Sequence, residues 1–334
     1  MKPDGVSIII CCYNAARRIT PVLEALQCQQ FSDSKPLWEV IVVDNASSDD
    51  TSKVAAEVWQ KNPVTLFKVV KEPEPGLMFA RKCGLNEAAF EIVSFIDDDN
   101  YVERYWVEKL VEVFSSDETI GACGGSSNAV FEKEAPEWFA EFENNFAVGK
   151  QMDKSGFIDE YKGFLWGAGL SFRKSLWIEL QQRGFQNLTV GRQGKNISAG
   201  EDSELCYAFR LLGYKLFYRD DLTLQHFMPQ ARMQFSYLLQ MAAGFGKSYA
   251  RLNCYRVLLY PGFVLKPWWY EWGASIKKQF QLSLHSFFIS DKQKKRGIAF
   301  RKAYNKGYAK QVWEDKSARD KNLKLIKTIF GKQP

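Results

Sequence analysis

The first 130 residues alternate short runs of β-branched and aromatic residues with stretches of helical periodicity. Strands are predicted at residues 6–12, 38–44, 64–70, 91–97 and 120–126. Helices are predicted at 17–29, 49–60 and 77–89, the second capped by Ser47 or Ser48 and the third preceded by a turn at Pro75 and Gly76. Alternating strands and helices are typical of βαβ units, so we predict an α/β fold on a mainly parallel sheet.

Polar residues stand where these strands end. They are Tyr13, Asn14, Asp44, Asn45, Asp97, Asp98 and Asp99. Because ligands of open parallel sheets bind beyond the carboxyl ends of the strands, we expect these side chains to converge on one site. The turn after the first strand, CYNAA, lacks the glycines of a phosphate-binding loop, which argues against a dehydrogenase or a P-loop enzyme.

The segment FIDDDN places three consecutive carboxylates behind an apolar strand. Side chains alternate along a strand, so Asp97 and Asp99 are predicted to point together and Asp98 to point away. The segment fits either a polar turn, which Asp and Asn favour, or a site for Mg²⁺ or Mn²⁺. Two carboxylates on one side would repel at a cost on the order of 1 kcal/mol without a cation, which favours the metal site.

A second acidic pair, Glu201 and Asp202, precedes a helical pattern. Acidic residues are favoured at a helix N-terminus, and the spacing alone favours that role over a general base. His226, after a later strand, is either a packed histidine or a ligand to the same cation. Arg81 either faces solvent on its helix or neutralises a diphosphate group.

The middle of the chain is less regular. Residues 163–175, GFLWGAGLSFRKS, contain three glycines that fit either a close backbone approach to a ligand or a tight turn. From Gly200 we predict a helix that ends at Gly213, followed by an edge strand that ends near Arg219. A further helix is predicted at 233–252.

The composition, 46% hydrophobic and 25% charged, is that of an ordinary globular protein. The seven cysteines form no CxxC pair, which argues against a disulfide framework or a zinc site and predicts small core side chains in a reducing compartment. The sequence opens on no signal-peptide pattern, and no window approaches the roughly 18 apolar residues of a membrane span. We therefore expect a cytoplasmic protein.

Charge is divided unevenly along the chain. Residues 230–334 hold 21 lysines and arginines against 5 acidic residues, a net charge of +16, whereas the remainder carries −10. Aromatic residues between 255 and 272 precede the lysine-rich segment 292–302, a pattern that favours contact with an anionic membrane surface through residues 255–302. Alternatively, the aromatic residues pack on the catalytic part and the lysines face solvent. No motif indicates a nucleic-acid partner.

Five segments together resemble inverting glycosyltransferases of family 2, which have the GT-A fold. They are VSIIICCYNAARRITPVLEAL, EVIVVDNASSDDT, EPGLMFARKCGLNEA, VSFIDDDN and GEDSELCYAFRLLGYKLFY with the later LQH. They occur in the order and rough spacing of that family and cover about residues 5 to 228. The resemblance implies a single mainly parallel (mixed) central sheet flanked by helices, and the charge and aromatic content of the tail predict a helical, basic and aromatic C-terminal extension.

The resemblance also implies roles for individual residues. It places the nucleotide against Tyr13, Asn14, Asp44, Arg81, Asp97 and Asp98, with Asp97 toward the ribose. The cation falls on Asp99 and His226, and the catalytic pair is Glu201 and Asp202, with Asp202 as the general base. Acceptor-side contacts are expected at Trp166 and Gly167, although GAGLSFRKS lacks an Asn that family members often carry.

The predicted activity is Mn²⁺- or Mg²⁺-dependent transfer of a sugar, with inversion, from a nucleoside-diphosphate sugar to a hydroxyl of a glycan or lipid-linked acceptor. A UDP-sugar is the favoured donor, and the pathway is surface polysaccharide or glycoconjugate biosynthesis. Residues 1–229 are predicted to form the catalytic domain, with a nucleotide-binding half at 1–130 and an acceptor-binding half at 131–229. Residues 230–334 form the extension, which would place the protein peripherally at the cytoplasmic face of the membrane. A non-catalytic, nucleotide-sugar-binding assembly protein is the alternative.

Overall fold

A computed structural model describes residues 5–32, 35–159, 163–189 and 200–331, and every statement on structure concerns these ranges. Residues 1–4, on which the expectation of no signal peptide partly rests, lie outside them. The described strands are β1 (Gly5–Cys12), β2 (Leu37–Asn45), β3 (Leu66–Glu72), β4 (Ile92–Asp97), β5 (Asn100–Val102), β6 (Ile120–Phe131), β7 (Gly156–Phe157), β8 (Ser171–Arg173) and β9 (Lys215–Met228).

These strands form one mixed sheet in the order β3-β2-β1-β4-β8-β6-β9-β5, with β7 paired to β9. The pairs within β3-β2-β1-β4 are parallel, as are β6 and β9. β8 runs antiparallel to both of its neighbours, and β5 and β7 run antiparallel to β9. The predicted α/β fold with a mixed central sheet is confirmed.

The helices flank this sheet on both faces. They are α1 (Ile19–Gln27), α2 (Thr51–Lys61), α3 (Leu77–Glu87), α4 (Trp106–Ser116), α5 (Lys174–Gln182), α6 (Glu201–Leu211), α7 (Phe235–Leu259), α8 (Trp268–Phe288), α9 (Lys292–Glu314) and α10 (Arg319–Phe330). In β1, Ile9 packs in the core that includes Phe95 and α6, whereas Ile8 and Ile10 pack in the core that includes α1 and α4. Covering on both faces explains why residues 8–12 of this strand are apolar without alternation.

The predicted serine cap of α2 is wrong. The helix begins at Thr51 after Asp50, whose side chain makes no capping hydrogen bond, and the Thr51 amide donates to Asp49 Oδ1 at 3.1 Å. Ser47 and Ser48 instead bond to Asn14, since the Ser47 hydroxyl accepts from the Asn14 amide at 3.0 Å and the Ser48 amide donates to Asn14 Oδ1 at 2.8 Å. The two serines therefore join the loops that follow β1 and β2.

The predicted edge strand that ends near Arg219 is also wrong. β9 runs on to Met228 and lies inside the sheet, between β6 and β5. The pairing with β6 is interrupted between Tyr218 and Thr223, where the sequence turns polar. Arg219 there pairs with Asp221 and Glu112 at 2.7 Å, so the charges mark a bulge within a long strand rather than its end.

Helices α7 and α10 contribute to cores of the sheet part of the molecule, whereas α8 packs on α9. Leu238 and Met241 of α7 share a core with Phe139, Phe142 and Phe146. Tyr255 is fully buried. For this residue the prediction of membrane contact is therefore wrong, and the alternative, packing in the protein core, is confirmed. None of the described helices is long and apolar enough to cross a bilayer. The boundary at residue 229 stays a prediction.

Candidate active site

A cavity of about 1110 Å³ opens at the carboxyl ends of β1 and β4. The sheet supplies its floor, and α3, α6, α7 and Tyr304 of α9 supply its walls. Ten of the twelve residues predicted for the site line this cavity, namely Tyr13, Arg81, Asp97, Asp98, Asp99, Trp166, Gly167, Glu201, Asp202 and His226. The structure thus brings both acidic segments, which lie about 100 residues apart in the sequence, to one place.

All three aspartates of FIDDDN line the cavity. β4 ends at Asp97 and β5 begins at Asn100, so Asp98 and Asp99 form a turn between two strands. The expectation that Asp98 points away is therefore wrong, because strand alternation does not extend through a turn.

Asp99 lies between a histidine and an arginine. Its Oδ1 is 3.5 Å from His226 Nε2, and its Oδ2 is 2.8 Å from Arg232 Nη1. Asn100 pairs with His226 across β5 and β9, which fixes the histidine opposite the aspartate. Arg232 comes from the short 3-10 helix Gln230–Arg232. The Asp99 carboxylate, the His226 imidazole and the Arg232 guanidinium thus meet at one wall.

Asp98 is held by Arg18, whose Nη2 donates to Asp98 Oδ2 at 2.6 Å. Burial raises the pKa of Asp98, the bond from Arg18 lowers it, and the charge of Asp99 raises it again. The net shift is upward, so a negative charge on Asp98 is costly when the cavity holds only protein groups. An added cation in the cavity would offset that cost.

Glu201 and Asp202 form the first turn of α6, where the helix dipole favours negative charge. Arg81, buried on α3, donates to Asp202 Oδ1 at 2.6 Å and lies 4.0 Å from Glu201 Oε1. Burial lowers the pKa of Arg81, but the carboxylates of Asp202, Glu201 and Asp97 raise it by more. Arg81 is therefore no solvent-facing residue; it links the two acidic segments and stays charged.

The sequence left open whether the glycines of residues 163–175 allow a close backbone approach or a tight turn. At Gly167 the backbone closely approaches the Asp202 carboxylate. A Cβ atom at this position would lie 1.9 Å from Asp202 Oδ2. Gly163 and Gly169 have φ of +71° and +76°, so at those positions the turn alternative holds. The glycine-rich segment both turns and leaves space for the Asp202 carboxylate.

Replacement of Gly167 by Ala is expected to lower turnover about 100-fold, since the methyl group would move the Asp202 carboxylate out of place. Turnover and nucleotide affinity measured on the purified variant would check this, and affinity should change little. Gly297→Ala is the matched control, because its Cβ would meet open space within α9. Wild-type turnover in Gly167→Ala would contradict the placement of Asp202.

Glu204, one turn beyond Glu201, bonds to Leu188 and Thr189 and to a C-terminal helix. Its carboxylate accepts from the amides of Leu188 and Thr189 at 2.6 and 3.0 Å and from Tyr255 Oη at 2.6 Å. Burial raises the pKa of Glu204 and these bonds lower it, with a net upward shift. Since Tyr255 belongs to α7, this buried carboxyl group joins α6 to the C-terminal helices.

Glu204→Gln is expected to lower the free energy of unfolding by about 1–3 kcal/mol, because the new NH₂ group would face buried donors. Denaturant unfolding measures this directly. The exposed Glu24 of α1 provides the control Glu24→Gln, for which a change within about 0.5 kcal/mol is expected. Equal effects of the two replacements would show that the buried network does not stabilise the fold.

Asn14 and Asp44 do not line the cavity. Asn14 has a φ of 50° and bonds to Ser48, while Asp44 accepts from the Ser47 amide at 3.3 Å and from the Ser52 hydroxyl. They shape the loops behind Tyr13, whose side chain is 56% exposed at the mouth of the cavity. Their role in nucleotide binding stays a prediction.

Asn45 also lines the cavity, at its rim. The sequence predicted only that it is a polar residue at the end of a strand. Its Oδ1 accepts from the Gly76 amide at 2.8 Å, and its Nδ2 donates to the carbonyl of Glu74 at 2.6 Å. This fixes the turn at Pro75 and Gly76 against the end of β2. An Asn after a strand-ending Asp was the one sequence signal for it.

Several other lining residues were missed. They are Arg18, Phe146, Tyr207, Arg232, Tyr237, Met241, Phe245, Tyr249, Leu252 and Tyr304. The two arginines are paired with Asp98 and Asp99, and most of the others give the far wall an aromatic character. Nothing in their local sequence distinguishes them from ordinary helix residues.

The fit of a divalent cation can be judged from the donor atoms. No group of three or more His, Cys, Asp or Glu side chains within the described ranges forms a cage for a metal ion. Mg²⁺ and similar cations, however, are commonly held by one or two carboxylates together with substrate phosphates. Asp99, with His226 beside it on the cavity wall, fits this second type of site.

The chain is similar in sequence and in fold to known proteins. Residues 7–177, slightly more than half of the chain, match the family model described as Glycosyl transferase family 2. Glycosyltransferase AglE of Haloferax volcanii is 33% identical over 110 residues, which are 33% of this chain and 35% of AglE. Matches to the first curated relatives span only 14% to 38% of those proteins.

A longer stretch of the chain is similar to the GalNAc(5)-diNAcBac-PP-undecaprenol beta-1,3-glucosyltransferase of Campylobacter jejuni. The two are 26% identical over 241 residues, 70% of this chain and 72% of that protein.

Solved structures share the fold. The mannosyltransferase PcManGT from Pyrobaculum calidifontis, in complex with GDP-Man and Mn²⁺, has a TM-score of 0.56 at 20% identity over 95% of this chain and 88% of its own. TarS of S. aureus has a TM-score of 0.50 at 16% identity over 93% of this chain and 55% of its own. The chain has the GT-A fold of these neighbours.

Proposed function

The chain belongs to glycosyltransferase family 2, and from this membership we propose that it transfers a sugar from a nucleoside-diphosphate sugar to an acceptor hydroxyl group. One observation carries the proposal. The Asp202 carboxylate and the three aspartates of FIDDDN line the same cavity, and Arg81 lies between them. A general base and a donor-binding group must meet in this way for a single displacement.

The donor is proposed to bind along the sheet end of the cavity. Tyr13 and the turn at Gly76 line that end together with Asp97. Arg81 and Arg232 stand close enough to the aspartates to neutralise a diphosphate group placed there. The nucleotide-binding roles of Asn14, Asp44 and Asp98 belong to the same proposal.

The chemistry is proposed as one displacement with inversion. Asp202 accepts the proton of the acceptor hydroxyl while that oxygen forms a bond to the anomeric carbon. The bond from this carbon to the diphosphate oxygen breaks, and the nucleoside diphosphate leaves with the electron pair. The ion pair with Arg81 holds the Asp202 carboxylate in place, and Glu201 lies beside both groups.

Asp99 and His226 are the residues that would hold Mn²⁺ or Mg²⁺. When bound, such a cation stabilises negative charge on the leaving diphosphate. For Arg232, which pairs with Asp99 at 2.8 Å, the proposal implies a change of partner from the carboxylate to the diphosphate. PcManGT, bound to GDP-Man and Mn²⁺, supports a divalent cation in this fold.

The acceptor is proposed to bind at the aromatic wall. Trp166 and Gly167 border Asp202 on one side, and Tyr237, Phe245 and Tyr249 of α7 face the same cavity. Aromatic side chains suit the apolar faces of sugar rings and of lipid chains. The name of the Campylobacter jejuni relative contains a lipid-linked acceptor, which supports a glycan or lipid-linked acceptor here. The proposal places it at the cytoplasmic face of the membrane, in surface polysaccharide or glycoconjugate biosynthesis.

A panel of UDP-, GDP- and dTDP-sugars incubated with Mn²⁺ tests the proposal without a known acceptor. Slow release of a nucleoside diphosphate from one donor is expected, since water can replace the acceptor in the cavity. Binding of a donor without release over many hours would instead favour a non-catalytic assembly protein. Neither binding nor release with any donor would overturn the proposal.

A further inference from the structure

Helix α8 is held with a fixed face toward the rest of the protein. Ser275 and Leu282 are buried, and the Ser275 carbonyl accepts from Asn305 Nδ2 of α9 at 2.8 Å. Glu271 accepts from Tyr308 of α9 at 2.6 Å and pairs with Arg319 of α10 at 2.7 Å. Side chains on the opposite face of α8 must therefore point outward.

That outward face is apolar. We call the exposed residues Trp269, Ile276, Phe280, Leu284 and Phe287 the outer stripe. Their spacing of seven, four, four and three residues places them on one side of a helix. Phe280 and Phe287 are 65% and 84% exposed, whereas an outward face normally carries polar residues.

Lysines border the outer stripe. Lys277 is exposed beside Ile276 on α8, and Phe288, which is 79% exposed, leads into α9 with the exposed Lys292, Lys294 and Lys295, of which Lys292 also lies 3.6 Å from Glu137. The whole segment 230–334 carries a net charge of +16. An apolar stripe bordered by lysines is the composition of helices that lie in the headgroup layer of anionic membranes.

We propose that α8 lies along an anionic bilayer with the outer stripe among the lipid chains and the neighbouring lysines at the phosphates. A second copy of the chain is the competing occupant of this face. Charge argues against it, because two equal copies would bring lysines of the same sign together in a self-complementary contact. Anionic lipid attracts the same lysines.

Membrane contact through α8 would bring a lipid-linked acceptor to the protein, and this purpose rests on the proposed function. Tyr304 of α9 lines the cavity, and the next residue, Asn305, bonds to α8. One helix thus separates the outer stripe from the aromatic wall. A lipid-linked acceptor presented from the bilayer would approach the protein on the side of that wall.

The test uses the full chain and sedimentation with vesicles of equal parts phosphatidylcholine and phosphatidylglycerol. The wild type is expected to bind at low salt and to dissociate as salt rises. A double variant, Phe280→Glu with Phe287→Glu, is expected to bind about tenfold or more weakly, since both side chains would have to enter the apolar layer. Leu66→Glu, at an exposed apolar residue of β3, is the matched control and should bind like the wild type.

Failure of the wild type to bind these vesicles, or equal binding by the double variant, would overturn the inference. Self-association that the double variant abolishes, without vesicle binding, would assign the stripe to a second copy instead. Hydrolysis of a soluble donor is measured on the same samples. Retained hydrolysis without vesicle binding would contradict the membrane contact alone, and vesicle binding without hydrolysis would contradict the proposed function alone.

Discussion

Replacement of Asp202 by Asn is expected to slow sugar transfer by about 10²- to 10⁴-fold and to leave nucleotide affinity nearly unchanged. Asn has the size of Asp and keeps an oxygen that can accept from Arg81, which donates to Asp202 at 2.6 Å. It cannot take a proton from an acceptor hydroxyl. The loss should therefore appear in the turnover number, and the two quantities are measured by steady-state kinetics and by nucleotide titration.

A control separates catalysis from the general effect of removing an acid from a helix start. Asp320 lies in the first turn of α10, just as Asp202 lies in the first turn of α6. Asp320 is exposed, however, and does not line the cavity. Asp320→Asn should leave turnover unchanged. An Asp202→Asn protein that turned over at the rate of the wild type would rule out Asp202 as the base.

Replacement of Asp99 is expected to remove the effect of the divalent cation. The rate should fall on the order of 100-fold or more, because stabilisation of the leaving group by a cation is worth several kcal/mol. Nucleotide affinity should also stop rising when Mn²⁺ is added. Titrations of Asp99→Asn and Asp99→Ala with nucleotide, in the presence and absence of Mn²⁺, measure this second effect.

Asp99→Ala alone would be ambiguous, since it removes the side-chain oxygen atoms that contact Arg232 as well as the negative charge. Breaking a buried ion pair costs about 3–5 kcal/mol, so this variant should unfold more easily. Asp99→Asn keeps the shape of the side chain and is the variant to interpret. Asp221→Asn, in an ion-paired group outside the cavity, should bind nucleotide and Mn²⁺ as the wild type does. Undiminished cation dependence in Asp99→Asn would exclude Asp99 as a ligand.

The N-terminal half of the fold could be predicted because its signals are local. β1 and β2 contain the apolar runs 8–12 and 40–43, and turn residues such as Pro75 and Gly76 separate strands from helices. The carboxyl ends of parallel strands meet by topology, so polar residues at those ends had to converge. Asp97 and Tyr13 were found in this way.

The rest depends on contacts between distant segments. Arg232 reaches Asp99, and Arg18 reaches Asp98, across more than 75 residues of sequence in each case. Neither arginine differs locally from one that faces solvent. The aromatic wall arises because α7 packs over the sheet, and no periodicity within α7 reveals which sheet residues it will cover.

The acidic pair Glu201 and Asp202 shows most clearly what residue spacing in the sequence cannot predict. Its sequence fits a helix start, and it does start α6, so the local prediction was correct. Its position opposite Arg81 and beside Gly167 becomes visible only in three dimensions. The helix-start role and the proposed catalytic role are compatible here, because an N-terminal helix turn is also a place where carboxylates can face a cavity.

Nucleoside diphosphate release tests the central proposal most directly. One sample of the full chain is assayed with its preferred sugar nucleotide in Mn²⁺, again after chelation, and again after Mn²⁺ is restored, beside Asp202→Asn. We predict release by the wild type that stops on chelation and returns with Mn²⁺, and release at least about 10²-fold slower than the wild-type rate with Mn²⁺ in the variant under every condition. Release that continues at the same rate in chelator, or that Asp202→Asn matches, would contradict a metal-dependent transferase with Asp202 as its base.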